Sequence, residues 1–263
     1  MREAASEYLD VTSNLRAALE SGEIYAAFEP QHSLRSGSLV RFEALCRWRN
    51  GELGESSPSR FIPVAEEVGV INSLGRLILQ AACREALRWQ RAGSTVSVAV
   101  KVSPVEFARL DFVDTVVGAL LETGLDPTRL ELELPEDALI RNIEQGLSHL
   151  DRLRGLGTRV AVDDYGTGYS SLGYLRLMSV DALKIDRSLV RDLDRNPQSA
   201  SMVRAIIAMA RAFGLRVGAE GVEAEAQAEL LRRLGCDEAQ GYLFGRAESP
   251  ESAFRRVAKE LAH

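Results

Sequence analysis

The sequence has few cysteines, and their number and spacing exclude the common cysteine-based sites. Its 263 residues contain three of them, Cys46, Cys83 and Cys236. An odd number without a closely spaced pair favours neither a disulfide framework nor a zinc or dithiol motif. We therefore predict three buried thiols in a protein that works in a reducing compartment.

The chain also lacks two further features. It has no apolar run long enough to span a membrane, and it has no excess of positive charge. Glu3, Glu7 and Asp10 stand where a signal peptide needs an apolar core. Lysine and arginine number 32 against 38 aspartates and glutamates, and the resulting net charge of −6 argues against a general surface for DNA. We expect a cytoplasmic protein without membrane or DNA contacts.

No linker rich in proline, glycine or serine divides the chain. Short apolar runs predict eight strands, at Ile24–Phe28, Leu39–Leu45, Val96–Val102, Leu130–Leu134, Arg159–Asp163, Ala182–Ile185, Arg216–Ala219 and Ala239–Phe244. Amphipathic stretches between them, several closed by glycine, predict helices at Leu74–Arg91, Pro104–Thr123, Pro135–Leu156, Ala200–Phe213 and Ala224–Leu234. This alternation over about 250 residues predicts a single α/β domain over 1–263, a (β/α)8 barrel of the TIM type.

Most of the predicted strands end in a polar or charged residue. In chain order these residues are Glu29, Glu43, Lys101, Glu133, Asp163 with Asp164, Lys184, Glu220 and Gln240. The carboxyl ends of parallel barrel strands form one face, so we expect these side chains to converge. Carboxylates in one mouth repel one another unless cations balance them, and their oxygens suit Mg²⁺ or Mn²⁺. The adjacent Asp163 and Asp164 are best interpreted as part of a two-metal site for displacement at phosphorus.

Each acid also has a simpler interpretation. A single carboxylate at a strand end can cap the following helix or form a surface ion pair. The segment YGTGYSSL (165–172) fits a turn in which Ser170 caps a helix, and it also fits a loop whose glycines let the backbone approach a ligand. The convergence of many acids favours the metal site.

Five segments together resemble one protein family. They read FEALCRW (42–48), LELELPEDALI (130–140), VAVDDYGTGYSSLGYL (160–175), LKIDRSLV (183–190) and AEGVEAEAQAELLRRLGCDEAQGYLFGRAESP (219–250). They resemble the EAL-domain family of cyclic di-GMP phosphodiesterases, in the family's order from about Glu23 to Pro250, after an N-terminal helical lead-in over 1–20. The resemblance implies a TIM-like barrel with one antiparallel strand, in which two Mg²⁺ or Mn²⁺ ions serve the hydrolysis of cyclic di-GMP to linear pGpG.

The resemblance also implies a set of metal ligands. Glu43, Glu133 and Asp163 look like ligands of one ion. Asp163 would bridge to a second ion, which Asp164 also approaches. Glu220 would hold a metal or the attacking water, and Glu43 and Glu220 would thereby take part in catalysis.

Four further residues take roles by the same resemblance. Lys184 would lie beside the attacking water as a catalytic residue. Arg47 would contact a phosphate of the substrate, although a surface ion pair is the alternative for an isolated arginine. Gln240 would lie near the substrate, and Glu136 would support the loop 164–170.

Two residues depart from the family pattern at the expected site. Lys101 stands where the family has an asparagine that supplies an oxygen to the first metal. An ammonium group has no acceptor, so it cannot ligate a cation, and it would compete with the metal for Glu43, Glu133 and Asp163. Glu29 stands in FEP where the family usually reads YQP, and as an acid near the substrate it could repel a phosphate or bind metal.

Three functions remain open at this point. The first is a cyclic di-GMP phosphodiesterase, weakened by Lys101. The second is a degenerate EAL module that senses cyclic di-GMP or binds a protein partner, with Lys101 replacing the charge of a metal. The third, independent of the resemblance, is an aldolase with Lys101 or Lys184 as a Schiff base, which requires a depressed lysine pKa.

An apolar stripe after the glycine-rich loop permits a homodimer. It comprises Leu172, Leu175, Leu177 and Met178. The same stripe is equally consistent with burial in the core, since apolar faces of helices usually point inward.

Overall fold

The computed structural model describes residues 12, 14–50, 54–166 and 175–262. The strands within these ranges are β1 (Ile24–Ser33), β2 (Leu39–Asn50), β3 (Gly54–Ser56), β4 (Ser97–Lys101), β5 (Leu130–Pro135), β6 (Arg159–Tyr165), β7 (Ala182–Ile185), β8 (Arg216–Ala219) and β9 (Glu238–Gln240).

Eight of these strands close into a barrel. Hydrogen-bonded neighbours follow the order β1, β2, β4, β5, β6, β7, β8, β9 and return to β1, while β3 forms a hairpin with β2 at the edge. Strand β1 is antiparallel to both of its neighbours, and the other neighbouring barrel strands are parallel. The predicted TIM-like barrel with one antiparallel strand is confirmed.

Helices surround the barrel. Residues 14–21 form α1, the described part of the predicted lead-in. The later helices are α2 (Pro58–Glu67), α3 (Ile71–Arg91), α4 (Pro104–Phe107), α5 (Phe112–Thr123), α6 (Glu136–Arg141), α7 (Ile143–Leu156), α8 (Arg187–Val190), α9 (Pro197–Ala212), α10 (Glu225–Leu234) and α11 (Pro250–Leu261), with a short 3₁₀ turn at Pro127–Arg129.

The alternation of side chains along a strand explains why this barrel has a polar interior. In β5, Leu130, Leu132 and Leu134 are fully buried and belong to the apolar core. The intervening Glu131 and Glu133 are also buried, at 2% and 0% exposure, but they contact charged and polar groups from other barrel strands. Successive side chains of a strand point to opposite faces, so the leucines pack outward and the glutamates point into the barrel.

Two predicted helices are each broken in two. The stretch Pro104–Thr123 divides into α4 and α5 around Asp111, the residue that precedes α5 and whose carboxylate accepts from Arg109 at 2.8 and 2.6 Å. The stretch Pro135–Leu156 divides at Asn142, which has extended backbone and caps α7 by accepting from the Gln145 N–H. Short polar side chains that bond the local backbone favour helix starts, which explains the break at Asn142.

Several other expectations change in detail. Strand β9 comprises three residues and ends at Gln240, before the predicted Phe244. The three cysteines are free, but only Cys83 and Cys236 are buried, whereas Cys46 is half-buried. Within the described residues, no helix has both the length and the apolarity needed to cross a bilayer.

The apolar stripe proposed for a homodimer is not continuous. Leu172 lies outside the described residues. Leu175 is buried in the core, Met178 packs partly against it, and Leu177 is 56% exposed. A homodimer therefore stays a prediction.

Candidate active site

The mouth of the barrel brings the predicted acids together. Glu133 lies in β5, Asp163 and Asp164 near the end of β6, and Glu220 directly after β8. They meet because neighbouring parallel strands end at the same face. Four carboxylic acids from three strands thus share one small region, and Glu43 from β2 joins them.

Lys184 lies at the centre of three of these carboxylates. Its Nζ is 2.5 Å from Glu220 Oε1, 2.7 Å from Glu133 Oε1 and 3.3 Å from Glu43 Oε2. The Lys184 side chain is 7% exposed. Its charge is thus held by carboxylates on three sides and shielded from water, which strengthens each of these interactions.

Lys101 binds the other pair of acids. Its Nζ lies 2.8 Å from Asp163 Oδ2 and 3.1 Å from Asp164 Oδ2. Lys101 was expected to compete with a metal for Glu43, Glu133 and Asp163. Of these three acids it contacts Asp163, whereas Glu43 and Glu133 contact Lys184. The two ammonium groups therefore divide the carboxylates between them.

The backbone at Asp164 explains how two successive aspartates face one site. Neighbouring residues of a regular strand point to opposite faces. Asp164 has φ of 53°, in the left-handed region that non-glycine residues rarely adopt, and its N–H donates to Asp163 Oδ1 at 2.9 Å. The β6–β7 register is irregular between Val162 and Tyr165. This local distortion turns the second carboxylate toward Lys101.

Glu29 reaches the mouth by a route that differs from the one expected. It does not end a parallel strand, because β1 is reversed and continues to Ser33. Its place follows from the antiparallel register, in which Glu29 lies opposite Glu43. Burial, followed by the charge of Glu43, raises the pKa of Glu29 to about 7.

The carboxylates form two groups that suit divalent cations. Glu43, Glu133 and Glu220 each place an oxygen within 4.8 Å of the others, and so do Asp163, Asp164 and Glu220. The carboxylate common to both groups is Glu220. The resemblance gave the bridging role to Asp163, and that role stays a prediction. Glu133 Oε2 is buried without a hydrogen-bond partner in the described part of the chain. An orphaned anionic oxygen beside two further carboxylates fits a hard cation.

The carboxylates outnumber the ammonium groups in the mouth, and the pKa values show it. Burial raises the pKa of Glu133 well above its ordinary value, and the charge of Glu43 adds to the effect. Burial likewise raises the pKa of Glu220 to about 8, against the opposing pull of Lys184. For Asp163 burial is outweighed by Lys184 and Lys101, which lower its pKa. In the metal-free mouth, protons thus offset part of the excess of carboxylates, and a cation that binds there would displace them.

Both lysines are poor candidates for Schiff-base chemistry. Burial alone would lower the pKa of Lys184, but Glu133, Glu220 and Glu43 outweigh it and raise that pKa well above its usual value. Asp163 and Glu220 raise the pKa of Lys101 in the same way. A Schiff base needs a neutral amine, so this geometry disfavours an aldolase.

The remaining predicted residues surround this centre. Gln240 is buried, and its Nε2 donates to Glu43 Oε2 at 2.5 Å. Arg47 shares a face of β2 with Glu43, is 20% exposed, donates to the Cys46 carbonyl at 3.0 Å and lies 4.0 Å from a carboxylate oxygen of Glu55. Glu136 begins α6 beside Tyr165, while residues 167–170 of the loop it would support lie outside the described residues.

A second polar layer lies below the mouth, and it was not predicted from the sequence. It consists of Gln31, Arg41, Glu131, Arg216 and Glu238, which join in one network of hydrogen bonds and ion pairs. Arg41, Glu131 and Glu238 stand two positions before Glu43, Glu133 and Gln240 respectively. Residues two apart share a strand face, so this spacing is the signal that could have found them.

Two curated proteins are similar to this chain in sequence. MucR of Pseudomonas aeruginosa, a bifunctional diguanylate cyclase/cyclic di-GMP phosphodiesterase, is 38% identical over 259 residues, which cover 98% of this chain and 38% of MucR. The cyclic di-GMP phosphodiesterase NbdA of the same species is 42% identical over 243 residues, which cover 92% of this chain and 31% of NbdA. The chain thus spans well under half the length of either relative.

A solved structure, the PaMucR phosphodiesterase in complex with c-di-GMP, has a TM-score of 0.90 and 38% identity to this chain, covering 93% of this chain and 99% of that one. The EAL domain family itself matches residues 12–247. With a barrel whose first strand is reversed and a mouth of clustered acids, the chain belongs to the EAL domain family.

Proposed function

We propose that this chain hydrolyses cyclic di-GMP to linear pGpG, with divalent cations held by the acids of the barrel mouth. The observation that carries the proposal is the pair of carboxylate groups that share Glu220. The names of the relatives MucR and NbdA as cyclic di-GMP phosphodiesterases support the choice of substrate.

Mg²⁺ or Mn²⁺ is the cation that suits these all-oxygen groups. Glu43, Glu133 and Glu220 would hold one ion through oxygens that Lys184 does not contact, such as Glu133 Oε2. Asp163 and Asp164 with Glu220 would hold the other. Ions held there would supply Lewis acidity, which would activate a water molecule and withdraw charge from the phosphoryl oxygens.

The side chains around the ions have separate tasks. Lys184 is a permanent donor at the centre of the mouth and would orient the attacking water. Arg47 offers the forked guanidinium that pairs with a phosphate. Glu29, which lies opposite Glu43, would repel the substrate phosphate unless a cation at the mouth offsets its charge.

A second candidate function is binding of cyclic di-GMP without hydrolysis. The observation in its favour is Lys101, whose ammonium contacts both Asp163 and Asp164. This ammonium neutralises part of the negative charge of the two aspartates, which one of the two ions would otherwise neutralise. A protein of this kind would act as a sensor or would pass the signal to a protein partner.

One experiment separates the two candidates. Purified protein is incubated with cyclic di-GMP and Mg²⁺ or Mn²⁺, product is followed by chromatography, and nucleotide binding is measured by calorimetry. Formation of pGpG that disappears in Glu133→Gln supports hydrolysis. Binding without product supports the sensor, and the absence of both overturns the two proposals together. A cytoplasmic location stays a prediction.

A further inference from the structure

A line of hydrogen bonds connects the lower polar layer to the mouth. Arg41 Nη1 donates to Gln31 Oε1 at 2.9 Å, and Gln31 Nε2 donates to Gln240 Oε1 at 2.5 Å. Gln240 Nε2 then donates to Glu43 Oε2 at 2.5 Å. All four residues are buried, with exposures between 3% and 7%. Water therefore does not replace any of these bonds easily.

The chemistry of the two ends sets the direction of this line. A guanidinium group can only donate, and an ionised carboxylate can only accept. The two amides between them have nearly the same shape in either orientation, so their neighbours decide which way each one points. Turning either amide over would set donor against donor or acceptor against acceptor, so Arg41 and Glu43 together fix both amides.

Arg41 itself is held by the lower layer. Its Nη1 lies 3.3 Å from Glu131 Oε1 and 2.8 Å from Glu238 Oε2, and its Nε donates to Ser97 Oγ at 3.1 Å. These partners come from β5, β9 and β4, so three strands determine where the guanidinium points. Arg216 also pairs with Glu131 and Glu238 and leaves the cluster with balanced charge.

We infer that Arg41 and Gln31 are positioning residues that act through Gln240 on the Glu43 carboxylate. Within the described residues, the hydrogen bonds to Glu43 from Gln240 and Lys184 fall on Oε2. These bonds hold the Glu43 side chain in one orientation. They leave its other oxygen, Oε1, to face a cation. Hydrogen-bond partners of this kind orient a ligand before the metal arrives, and their loss typically costs about 10- to 100-fold in metal affinity or activity. The inference rests on the proposed metal-dependent function.

The first test is the affinity for Mn²⁺, measured by calorimetry on the full chain without substrate. Gln31→Met keeps the length of the side chain and removes the acceptor for Arg41, the donor for Gln240 and a longer bond of 3.4 Å from Gln31 Nε2 to Glu133 Oε1. Arg41→Met leaves that bond to Glu133 in place, so the two variants together separate the two paths. We expect Mn²⁺ to bind about tenfold or more weakly, with the circular dichroism spectrum unchanged. Gln90→Met, the same exchange on α3 at a side chain whose oxygen has no partner in the described structure, serves as the matched control and should bind Mn²⁺ normally.

The second test uses Arg41, the donor that begins this line of hydrogen bonds. A merely structural role of Arg41 would not depend on whether the side chain there can donate a hydrogen bond to Gln31. Arg41→Lys retains a group that only donates and should keep most of the Mn²⁺ affinity. Arg41→Met removes it and should weaken Mn²⁺ binding as Gln31→Met does. If Arg41→Met does not fold, Gln240→Met replaces it, because this variant removes the donor to Glu43 and leaves the bond from Gln31 to Glu133 in place. Mn²⁺ binding as tight as in the unaltered chain would then overturn the inference.

Failure of this inference can be told apart from failure of the proposed function. Glu43→Gln alters the metal ligand directly. If Glu43→Gln binds Mn²⁺ as tightly as the unaltered chain, the metal site itself is wrong. If Glu43→Gln weakens binding while Gln31→Met does not, only the positioning role of Arg41 and Gln31 is overturned.

Discussion

Lys101 is the single residue on which the metal content of the site most depends. Its ammonium lies within 3.1 Å of both Asp163 and Asp164. An ammonium group binds carboxylates without ligating a cation, so it stabilises the acids and excludes a metal from the same place. We therefore expect the proposed hydrolysis and the metal-free stability of the fold to depend on this residue in opposite ways.

Lys101→Asn should increase Mn²⁺ affinity about tenfold and speed hydrolysis, because an oxygen ligand replaces a competing cation. The metal-free melting temperature should fall by roughly 2–4 °C as the aspartates lose their partner, and Mg²⁺ should restore it. Turnover and melting curves with and without Mg²⁺ measure both effects. Lys259→Asn on the exposed end of α11 is the matched control. Unchanged melting and equal or lower turnover for Lys101→Asn would contradict this account.

Glu106 links the stability of the fold to pH. Burial raises its pKa to about 7, and the nearby Glu66 adds to the rise. The unfolded chain loses this proton near 4.5 and the folded chain near 7, so the free energy of unfolding should fall as pH rises through that interval, by up to ~3 kcal/mol.

Glu106→Gln should remove this loss and stabilise the protein above pH 7, since the amide oxygen can still accept from the Ser103 N–H. Urea unfolding at pH 5 and pH 8 measures the difference. Glu260→Gln, at an exposed position of α11, should leave the pH dependence unchanged. Equal stability differences for Glu106→Gln at the two pH values would exclude Glu106 as the cause.

Single residues of the mouth were predictable where they follow a buried strand. Glu133, Asp163 and Glu220 are of this kind, because the end of an apolar run is visible in the sequence. Glu29 reaches the site only through the antiparallel register with Glu43, and a register between distant strands has no local signal. The roles of these residues stay predictions, whereas their positions are observed.

At the scale of elements, α3 and α4 meet at one glycine. A Cβ on Gly75 of α3 would lie 1.6 Å from Glu106 Oε1 of α4. The Glu106 carboxyl therefore occupies the space that a side chain at position 75 would fill. The same crossing places the Glu106 carboxyl beside a cavity of about 210 Å³ that also reaches Lys101.

Gly75→Ala should destabilise the protein by about 1–3 kcal/mol, although alanine favours helix, because the Glu106 carboxyl must move. Gly118 on α5 provides the control, since a Cβ there meets no atom within 4 Å. Gly118→Ala should stabilise the chain by up to ~1 kcal/mol. Urea unfolding of both variants tests this, and a stabilising Gly75→Ala would contradict the crossing described.

The order and type of most elements were predictable, and the breaks between them less so. Periodic apolar residues indicated the barrel strands and α3 well. Asn142 and Asp111 sit within stretches whose apolar spacing continues on both sides, so periodicity alone joined α6 to α7 and α4 to α5. At Asn142 the choice between one helix and two depends on a local capping bond, which competes with the helix by only about 1 kcal/mol. Asp111 makes no such capping bond and pairs with Arg109 instead.

For the molecule as a whole, cation binding and folding should be coupled. A ligand that binds only the folded state stabilises it by about 2.7 kcal/mol at 100 times its dissociation constant. For a chain of 263 residues this corresponds to about 5 °C in melting temperature. Scanning calorimetry with and without Mn²⁺ measures it. A double variant, Glu43→Gln with Glu133→Gln, should lose the shift, and an undiminished shift would place the ion elsewhere.

Closure of the barrel also sets the order in which helices and the proposed metal site form during refolding. Gln31 bonds Gln240 across 209 positions of the chain, and Gln240 bonds Glu43 across 197. Contacts between such distant residues form slowly, because a long loop must first lose its freedom. During refolding, helical circular dichroism should therefore recover before Mn²⁺ binding does. The first and last strands of the barrel must meet before Glu43 acquires its final partner.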